Sequence, residues 1–114
     1  MHEESLVRSL LKQVEAIALQ HDAAEVTQIE VEIGPLSGVE PMLVESAFER
    51  VSPDTGCRNS RLQINFVPLQ EECNECSTNF ETNEFLFQCP ACSSDHVRVT
   101  GGDTFRLMNV TLQT

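Results

Sequence analysis

The chain has 114 residues, of which 18 are acidic and 7 are basic, giving a formal net charge of −11. This balance argues against a nucleic-acid binder, because such proteins neutralise phosphates with Lys and Arg, and the only lysine here is Lys12. No apolar run is long enough to cross a membrane, and the acidic start lacks a signal peptide. With five cysteines in such a chain, we expect a cytoplasmic protein whose partners are basic proteins or metal cations.

The first half of the chain has the periodicity of helix, strand and helix. Apolar residues at steps of three and four predict an amphipathic helix from about Glu4 to Gln20. From Val26 to Ile33 the period changes to two, which predicts a strand with one wet face. Pro41 suits the first position of a second helix, with Glu40 at its cap, and Ser52–Gly56 ends that helix.

Two further strands are predicted in the second half. Apolar residues alternate with polar ones from Leu62 to Phe66, and Pro68 ends that strand. After a hinge signal at Gly101-Gly102, a last strand carries apolar residues whose parity changes between Leu107 and Val110. A β-bulge between those two residues would reconcile the two halves of the strand.

These elements predict an α+β fold in which two helices pack on a three-stranded sheet. That domain is formed by residues 1–69 and 101–114. Residues 70–100, which contain two Cys-x-x-Cys pairs, are predicted to form an inserted zinc-ribbon domain, which is too small to bury much core by itself. A metal ion would substitute for the missing core.

Two Cys-x-x-Cys pairs, Cys73/Cys76 and Cys89/Cys92, lie within twenty positions. Facing turns of this kind complete a tetrahedron of thiolates around zinc, and a hairpin within Ser77–Gln88 would bring the second pair onto the first. The alternatives are disulfides and an iron–sulfur cluster. Four thiolates fill the coordination sphere of zinc, so the predicted site stabilises the fold and offers no catalytic position.

The first residues of the chain are a second candidate metal site. A terminal amine at Met1, the deprotonated amides that follow it and the His2 imidazole can lie in one plane around a divalent ion. Square-planar nitrogen donors favour Ni²⁺ or Cu²⁺ over Zn²⁺, and cellular supply then decides between nickel and copper. The alternative is that His2 is simply the second residue of a disordered start.

Several motifs occur in an order that resembles the HypA/HybF family of hydrogenase maturation nickel metallochaperones. They are the opening Met-His-Glu, the segment Glu32–Pro41, Ala47-Phe48, the two Cys-x-x-Cys pairs and Gly101-Gly102-Asp103. The resemblance covers the whole chain. It implies a nickel carrier rather than an enzyme, with Ni(II) as transient cargo and a structural Zn(II). The implied partners are a hydrogenase accessory GTPase and the hydrogenase large subunit, and a homodimer remains compatible with the resemblance.

The resemblance also assigns the nickel ligands. His2 supplies its imidazole and backbone nitrogen, Glu3 supplies its backbone nitrogen, and the Met1 amine lies beside them. The acidic residue that can approach the nickel in this family is Glu40 here, where the family's best-studied form has the shorter Asp. Some members have a histidine directly beside the second cysteine pair; here His96 lies four positions beyond Cys92, so no such role is carried over.

The remaining polar candidates are assigned no catalysis. Cys57 is expected to be a partly buried thiol, because no obvious base accompanies it. Glu30 and Glu32 are expected on a solvated strand face, and Glu71 and Glu72 at a domain boundary without an apolar pocket to raise a pKa. The alternative to a nickel carrier is a zinc-ribbon adaptor whose acidic face recruits a basic protein.

Overall fold

The structure is a computed structural model that describes residues 2–85 and 87–114, and of His2 the backbone alone. The helices and strands are α1 His2–Gln20, β1 Glu25–Ile33, α2 Pro41–Val51, β2 Arg61–Phe66, β3 Leu69–Cys73, β4 Asn79–Thr82, β5 Val97–Gly101 and β6 Phe105–Gln113, with a short 3-10 helix at Ser52–Asp54. Contacts divide the chain into two units. The helix-and-sheet unit comprises the chain up to Glu32, Val39–Asn65 and Arg106–Thr114; the cysteine lobe comprises Ile33–Gly38 and Phe66–Phe105.

The sheet of the helix-and-sheet unit has the strand order β2-β1-β6. Side-chain contacts between β1 and β2 advance in the same direction, from Gln28 with Gln63 to Glu30 with Asn65. These strands are therefore parallel, as expected for two strands joined through α2. Contacts between β1 and β6 run in opposite directions, since the start of β1 contacts the end of β6, so that pair is antiparallel.

Both helices place an apolar stripe in one core against β1. The fully or almost fully buried residues of this core are Val7, Leu10, Leu11, Val14, Val26, Ile29, Val31, Val44, Ala47, Phe48 and Val51. Their spacing follows the helical and strand periods of the sequence. The predicted fold of two helices on a three-stranded sheet is confirmed, and α1 begins at His2, two residues before the predicted start.

The opposite face of this sheet is polar. Glu30 accepts hydrogen bonds from the side-chain amides of Asn65 (2.6 Å) and Asn109 (2.7 Å), and these two donors lower the pKa of Glu30. Glu32 pairs with Arg106 at 2.8 Å. The expected solvated face is thus present, and its carboxylates are held by neighbouring strands rather than by a reactive pocket.

The last strand, β6, keeps the predicted change of parity. Leu107 and Val110 are each partly buried, and the two residues between them, Met108 and Asn109, are both exposed. The alternation of partly buried and exposed residues therefore shifts by one position between Leu107 and Val110. Because of this shift, the apolar side chains before and after it are all partly buried.

The cysteine lobe contains a second sheet with the order β4-β3-β5, in which both neighbours of β3 are antiparallel to it. The described part of Ser77–Gln88 has one strand, β4, which pairs with β3 rather than with a second strand of the expected hairpin. Gly102 lies at φ 89°, and its carbonyl accepts from the Leu36 amide at 2.9 Å. A Cβ on Gly34 would lie 2.2 Å from that carbonyl oxygen, so both positions require glycine.

Candidate metal centre

The four cysteines predicted as zinc ligands converge in the cysteine lobe. All four sulfurs lie within 4.8 Å of one another, and the pairs Cys73/Cys92 and Cys76/Cys89 are each 3.6 Å apart. A regular tetrahedron with Zn–S bonds of about 2.3 Å has edges of about 3.8 Å. The cluster therefore fits one tetrahedral ion, as predicted. Among the described residues, it is the one group of three or more His, Cys, Asp and Glu side chains arranged to hold a metal.

The two alternative interpretations of the cysteines do not fit this geometry. A disulfide needs an S–S distance of about 2.05 Å, whereas these cysteines are free thiols. An iron–sulfur cluster places several irons and sulfides between its cysteine ligands, and a spread of 4.8 Å has no room for them. The arrangement fits a closed structural zinc site.

The two cysteine turns have the same backbone design. In each turn the first sulfur accepts from the amide two residues later, Glu75 or Ala91, at 3.4 Å. Each turn then ends on a serine in the left-handed region, Ser77 at φ 61° and Ser93 at φ 64°. Such amide donors orient the thiolates and stabilise their negative charge, so the turns are prepared for a cation before it binds.

The contacts within the cluster also shift the pKa values of Cys76 and Cys92 in opposite directions. The Thr78 hydroxyl lies 3.1 Å from the Cys76 sulfur and is the main reason why the pKa of Cys76 is lowered to about 6. The Ser94 amide lowers the pKa of Cys92, but the thiols crowded around it and desolvation outweigh that effect and raise the pKa to about 12. Because metals bind the thiolate form of cysteine, binding of a divalent cation to this cluster would release protons.

His96 contacts the first cysteine turn, although no role was assigned to it from sequence. Its Nδ1 lies 2.8 Å from the Glu75 carboxylate, and its carbonyl accepts from the Asn74 amide at 2.8 Å. The hydrogen bond to Glu75, together with the charge of Asp95, raises the pKa of His96. This contact joins the segment after the second turn to the first turn.

The expectation for Glu71 is wrong. Its side chain is 1% exposed, neither carboxylate oxygen has a hydrogen-bond partner, and desolvation raises its pKa. The small lobe packs few layers of atoms around this carboxylate, but its nearest neighbours still cover both oxygens. Glu71 shares the inward face of β3 with Leu69 and Cys73, a period-two pattern that the sequence already contained. Its neighbour Glu72 instead pairs with Arg98 on the opposite face.

The candidate nickel residues are described in part. The Met1 amine and the His2 imidazole lie outside the described residues. The Glu3 carboxylate accepts from the Glu40 backbone amide at 3.4 Å, so the start of α1 and the start of α2 are adjacent. Glu40 is the predicted cap of α2, and its carboxylate accepts from the Met42 amide at 3.3 Å.

Cys57 and His21 lie in the helix-and-sheet unit, apart from the cysteine cluster in sequence. Cys57 is completely buried, whereas partial burial was expected, and desolvation raises its pKa, so it is an inert thiol. His21 is exposed in the turn that follows α1, where its amide donates to the Ile17 carbonyl at 3.3 Å. Neither residue joins a group of metal ligands among the described side chains.

Comparison with known proteins identifies the family. The family model described as "HypA: Hydrogenase/urease nickel incorporation, metallochaperone, hypA" matches residues 1–112. This chain belongs to the HypA family. It is 40% identical to the hydrogenase maturation factor HypA of Nitrosospira multiformis over 114 residues, which cover 100% of this chain and 99% of the relative. It is 38% identical to that of Shewanella oneidensis over 113 residues, covering 99% and 96% respectively.

Solved HypA structures have the same fold. The solution structure of the Ni metallochaperone HypA from Helicobacter pylori matches with a TM-score of 0.71 at 30% identity, covering 97% of each chain. Another solution structure of HypA protein matches with a TM-score of 0.76 at 32% identity, covering 98% of this chain and 96% of the other.

HypA proteins are metallochaperones rather than enzymes, in agreement with the absence of a catalytic assignment above. Within the described part of the chain, no helix combines the length and apolar character needed to cross a bilayer.

Proposed function

We propose that this HypA-family protein carries Ni(II) at its N-terminus and delivers it during maturation of nickel–iron hydrogenase, while Zn(II) at the four cysteines stabilises the lobe. The observation that carries the proposal is the contact between the Glu3 carboxylate and the Glu40 amide. In it the acidic cap of α2 lies beside Glu3, one of the residues that the family resemblance assigns to nickel. This proximity supports Glu40 as a further candidate ligand of an ion bound at the first residues.

The backbone at the start of α1 supplies suitable donors for such an ion. The first amides of a helix have no intrahelical acceptor, so deprotonating them for metal binding breaks no helical hydrogen bond. The His2 imidazole and the Met1 amine complete a planar nitrogen set, which favours Ni²⁺ over Zn²⁺. The adjacent acidic side chains of Glu3 and Glu40 lower the electrostatic cost of holding a dication nearby.

The cysteine centre is unsuited to carry the cargo. Its four sulfurs fit a single ion with no open position, and Cys73 and Cys89 are each 1% exposed. A metal held in this way contributes to the stability of the lobe and leaves slowly. We therefore assign zinc a structural role and assign transport to the N-terminal site.

The relevant partners are the hydrogenase accessory GTPase and the hydrogenase large subunit, encountered in the cytoplasm. The curated relatives are named hydrogenase maturation factors, which supports the choice of hydrogenase as the recipient. A GTPase is needed for any nucleotide hydrolysis, because this chain lacks a glycine-rich phosphate loop. A homodimer is compatible with this role.

The test is a calorimetric Ni(II) titration of zinc-loaded protein with its native N-terminus, of His2→Ala and of an N-terminally tagged form. His21→Ala is the matched control, because it removes an exposed histidine that follows the same helix. We expect His2→Ala and the tag to weaken nickel binding at least tenfold, with loss of the visible absorption of square-planar Ni(II), and His21→Ala to bind normally. Equal affinity in all forms would refute the carrier.

That refuting result would favour the second candidate, a zinc-ribbon adaptor without a nickel role. The observation behind the adaptor is the acidity of the lobe. From Leu62 to Val97 the sequence has no Lys or Arg but six carboxylates, namely Glu71, Glu72, Glu75, Glu81, Glu84 and Asp95. An adaptor would bind its basic partner equally well with and without Ni(II), whereas a carrier would release nickel on contact with its recipient.

A further inference from the structure

Two aromatic side chains of the cysteine lobe face solvent. Phe85 is 59% exposed and Phe87 is 44% exposed, although the chain has only six phenylalanines and neither Trp nor Tyr. By contrast, Phe48 in the helix-and-sheet unit is 7% exposed. Exposed aromatic side chains two positions apart are unfavourable in water and are characteristic of protein-binding surfaces.

The segment that carries these phenylalanines is attached to the fold at both ends. Before Phe85, the Glu84 amide donates to the Thr82 hydroxyl at 3.0 Å, which closes a tight turn at the end of β4. After Phe87, the Gln88 side-chain amide donates to the Ser93 carbonyl at 3.2 Å in the second cysteine turn. Hydrogen bonds therefore hold both flanks of the aromatic pair, one at the end of β4 and one at the second cysteine turn.

The charge around the loop restricts the partner. The lobe has six carboxylates and no Lys or Arg between Leu62 and Val97, and Arg98, just after this interval, is already paired with Glu72. A tetrathiolate zinc adds further negative charge. Nucleic acids and anionic membranes are therefore repelled, whereas a protein surface rich in Lys and Arg is attracted.

We propose that Phe85 and Phe87 form a docking surface that inserts into an apolar pocket bordered by Lys and Arg on the nickel-receiving hydrogenase subunit. This assignment of the recipient rests on the proposed function above. Two exposed aromatic anchors on an acidic lobe give both parts of a specific interface, the anchors providing affinity and the negative charge providing attraction. Zinc then has a second consequence beyond stability, because the cysteine turn that it organises also binds Gln88, the residue after Phe87.

The experiment measures binding of the full-length, zinc-loaded protein to the purified nickel-free hydrogenase large subunit from the same genome. The test variant is the double substitution Phe85→Ser/Phe87→Ser. Phe66→Ser is the matched control, because Phe66 is even more exposed, at 69%, but lies far from the aromatic pair in sequence. We expect the double variant to weaken binding at least about tenfold and the control to change it less than about twofold. Zinc content is measured in every sample, and one zinc per chain verifies that the lobe is intact.

A second variant keeps the test decisive if the double variant loses zinc. Glu84→Lys reverses the charge beside the aromatic pair without removing an apolar contact, and Glu49→Lys on α2 is its control. We expect Glu84→Lys to weaken binding several-fold in low salt, with the difference shrinking in high salt, and Glu49→Lys to have a smaller effect. Unchanged hydrogenase binding in zinc-loaded Phe85→Ser/Phe87→Ser, or in Glu84→Lys, would overturn the proposal.

The accessory GTPase and Ni(II) provide the remaining comparisons. Loss of GTPase binding in the double variant, with hydrogenase binding unchanged, would overturn the assignment of the surface to hydrogenase. Nickel affinity is measured on the same samples. If nickel binding is normal and docking is unaffected, the docking surface is wrong and the carrier stands; if docking is lost as expected but no form binds nickel, the carrier is wrong and the surface stands.

Discussion

Replacing Glu71 with methionine should stabilise the cysteine lobe. Glu71 is 1% exposed, and both of its carboxylate oxygens lack a hydrogen-bond partner. Methionine has a similar length, is unbranched and carries no group that requires a hydrogen bond, so Glu71→Met fills the same space with apolar atoms. The change removes the desolvation cost and no observed interaction.

The magnitude follows from the state of the carboxylate. A buried polar group without a partner costs about 1–3 kcal/mol, and more when it is charged. Because burial raises the pKa of Glu71, part of that cost is avoided by protonation, and about 1–3 kcal/mol is the expected gain in the free energy of lobe unfolding. At about 1.4 kcal/mol for each factor of ten, amide hydrogen exchange in β3 should slow about 5- to 150-fold.

The assay is native-state hydrogen exchange by NMR on zinc-saturated protein at neutral pH. It resolves the amides of β3 and β5 from those of α1 and β1, so the two units are measured separately. Glu72→Met is the matched control, because the adjacent carboxylate pairs with Arg98 on the other face of the strand. That control should lose about 1 kcal/mol or less, as expected for an exposed ion pair.

Faster exchange of the β3 amides in Glu71→Met would refute the reasoning. It would mean that the carboxylate stabilises the folded lobe through an interaction of its own. Slower exchange in α1 as well as in β3 would also contradict it, since Glu71 makes its contribution within the lobe alone.

Two further predictions concern the cysteine cluster and the polar sheet face. Cys89→Ser should abolish stoichiometric zinc binding and unfold the lobe while α1 retains its NMR signals, whereas Cys57→Ser should keep its zinc; retained zinc in Cys89→Ser would contradict the ligand set. Asn109→Ala should raise the pKa of Glu30 towards its ordinary value of 4.5, measured by NMR titration, with Thr111→Ala as control. Because the folded-state pKa is lowered, the stabilisation by Asn109 is present above pH 4.5 and is lost as the pH falls through the folded-state value.

The helix-and-sheet unit could be predicted because burial there follows simple periods. Both helices and the strands β1, β2 and β6 carry apolar residues at steps of three and four or of two, and the structure confirms each of them. In the lobe, a strand was expected in the region of β4, but β3 and β5 were not predicted. In β3, Glu71 occupies the inward position between Leu69 and Cys73, where an apolar residue would have marked a strand. The alternation of Val97 and Val99 in β5 was a usable signal.

The candidate site was likewise predictable only in part. The cysteine ligands were predictable because a metal imposes fixed spacing on the residues that bind it. The contacts of His96 with Glu75 and of Glu3 with Glu40 were not, since each joins residues far apart in sequence, 21 and 37 positions respectively. Such pairs depend on how elements meet, which local periodicity does not encode.

In the proposed function, the cysteine site and the N-terminal site must differ in the metal that they bind. Four thiolates attract Ni²⁺ as well as Zn²⁺, so an empty cysteine cluster would compete with the N-terminus for the cargo. In the proposed function, zinc closes that competing site, because four sulfurs within 4.8 Å of one another would leave it no open position. The proposed N-terminal site could then remain weak and accessible, as a carrier requires. A nickel titration is therefore meaningful only on zinc-loaded protein, since nickel bound by free cysteines would conceal the effect of His2→Ala.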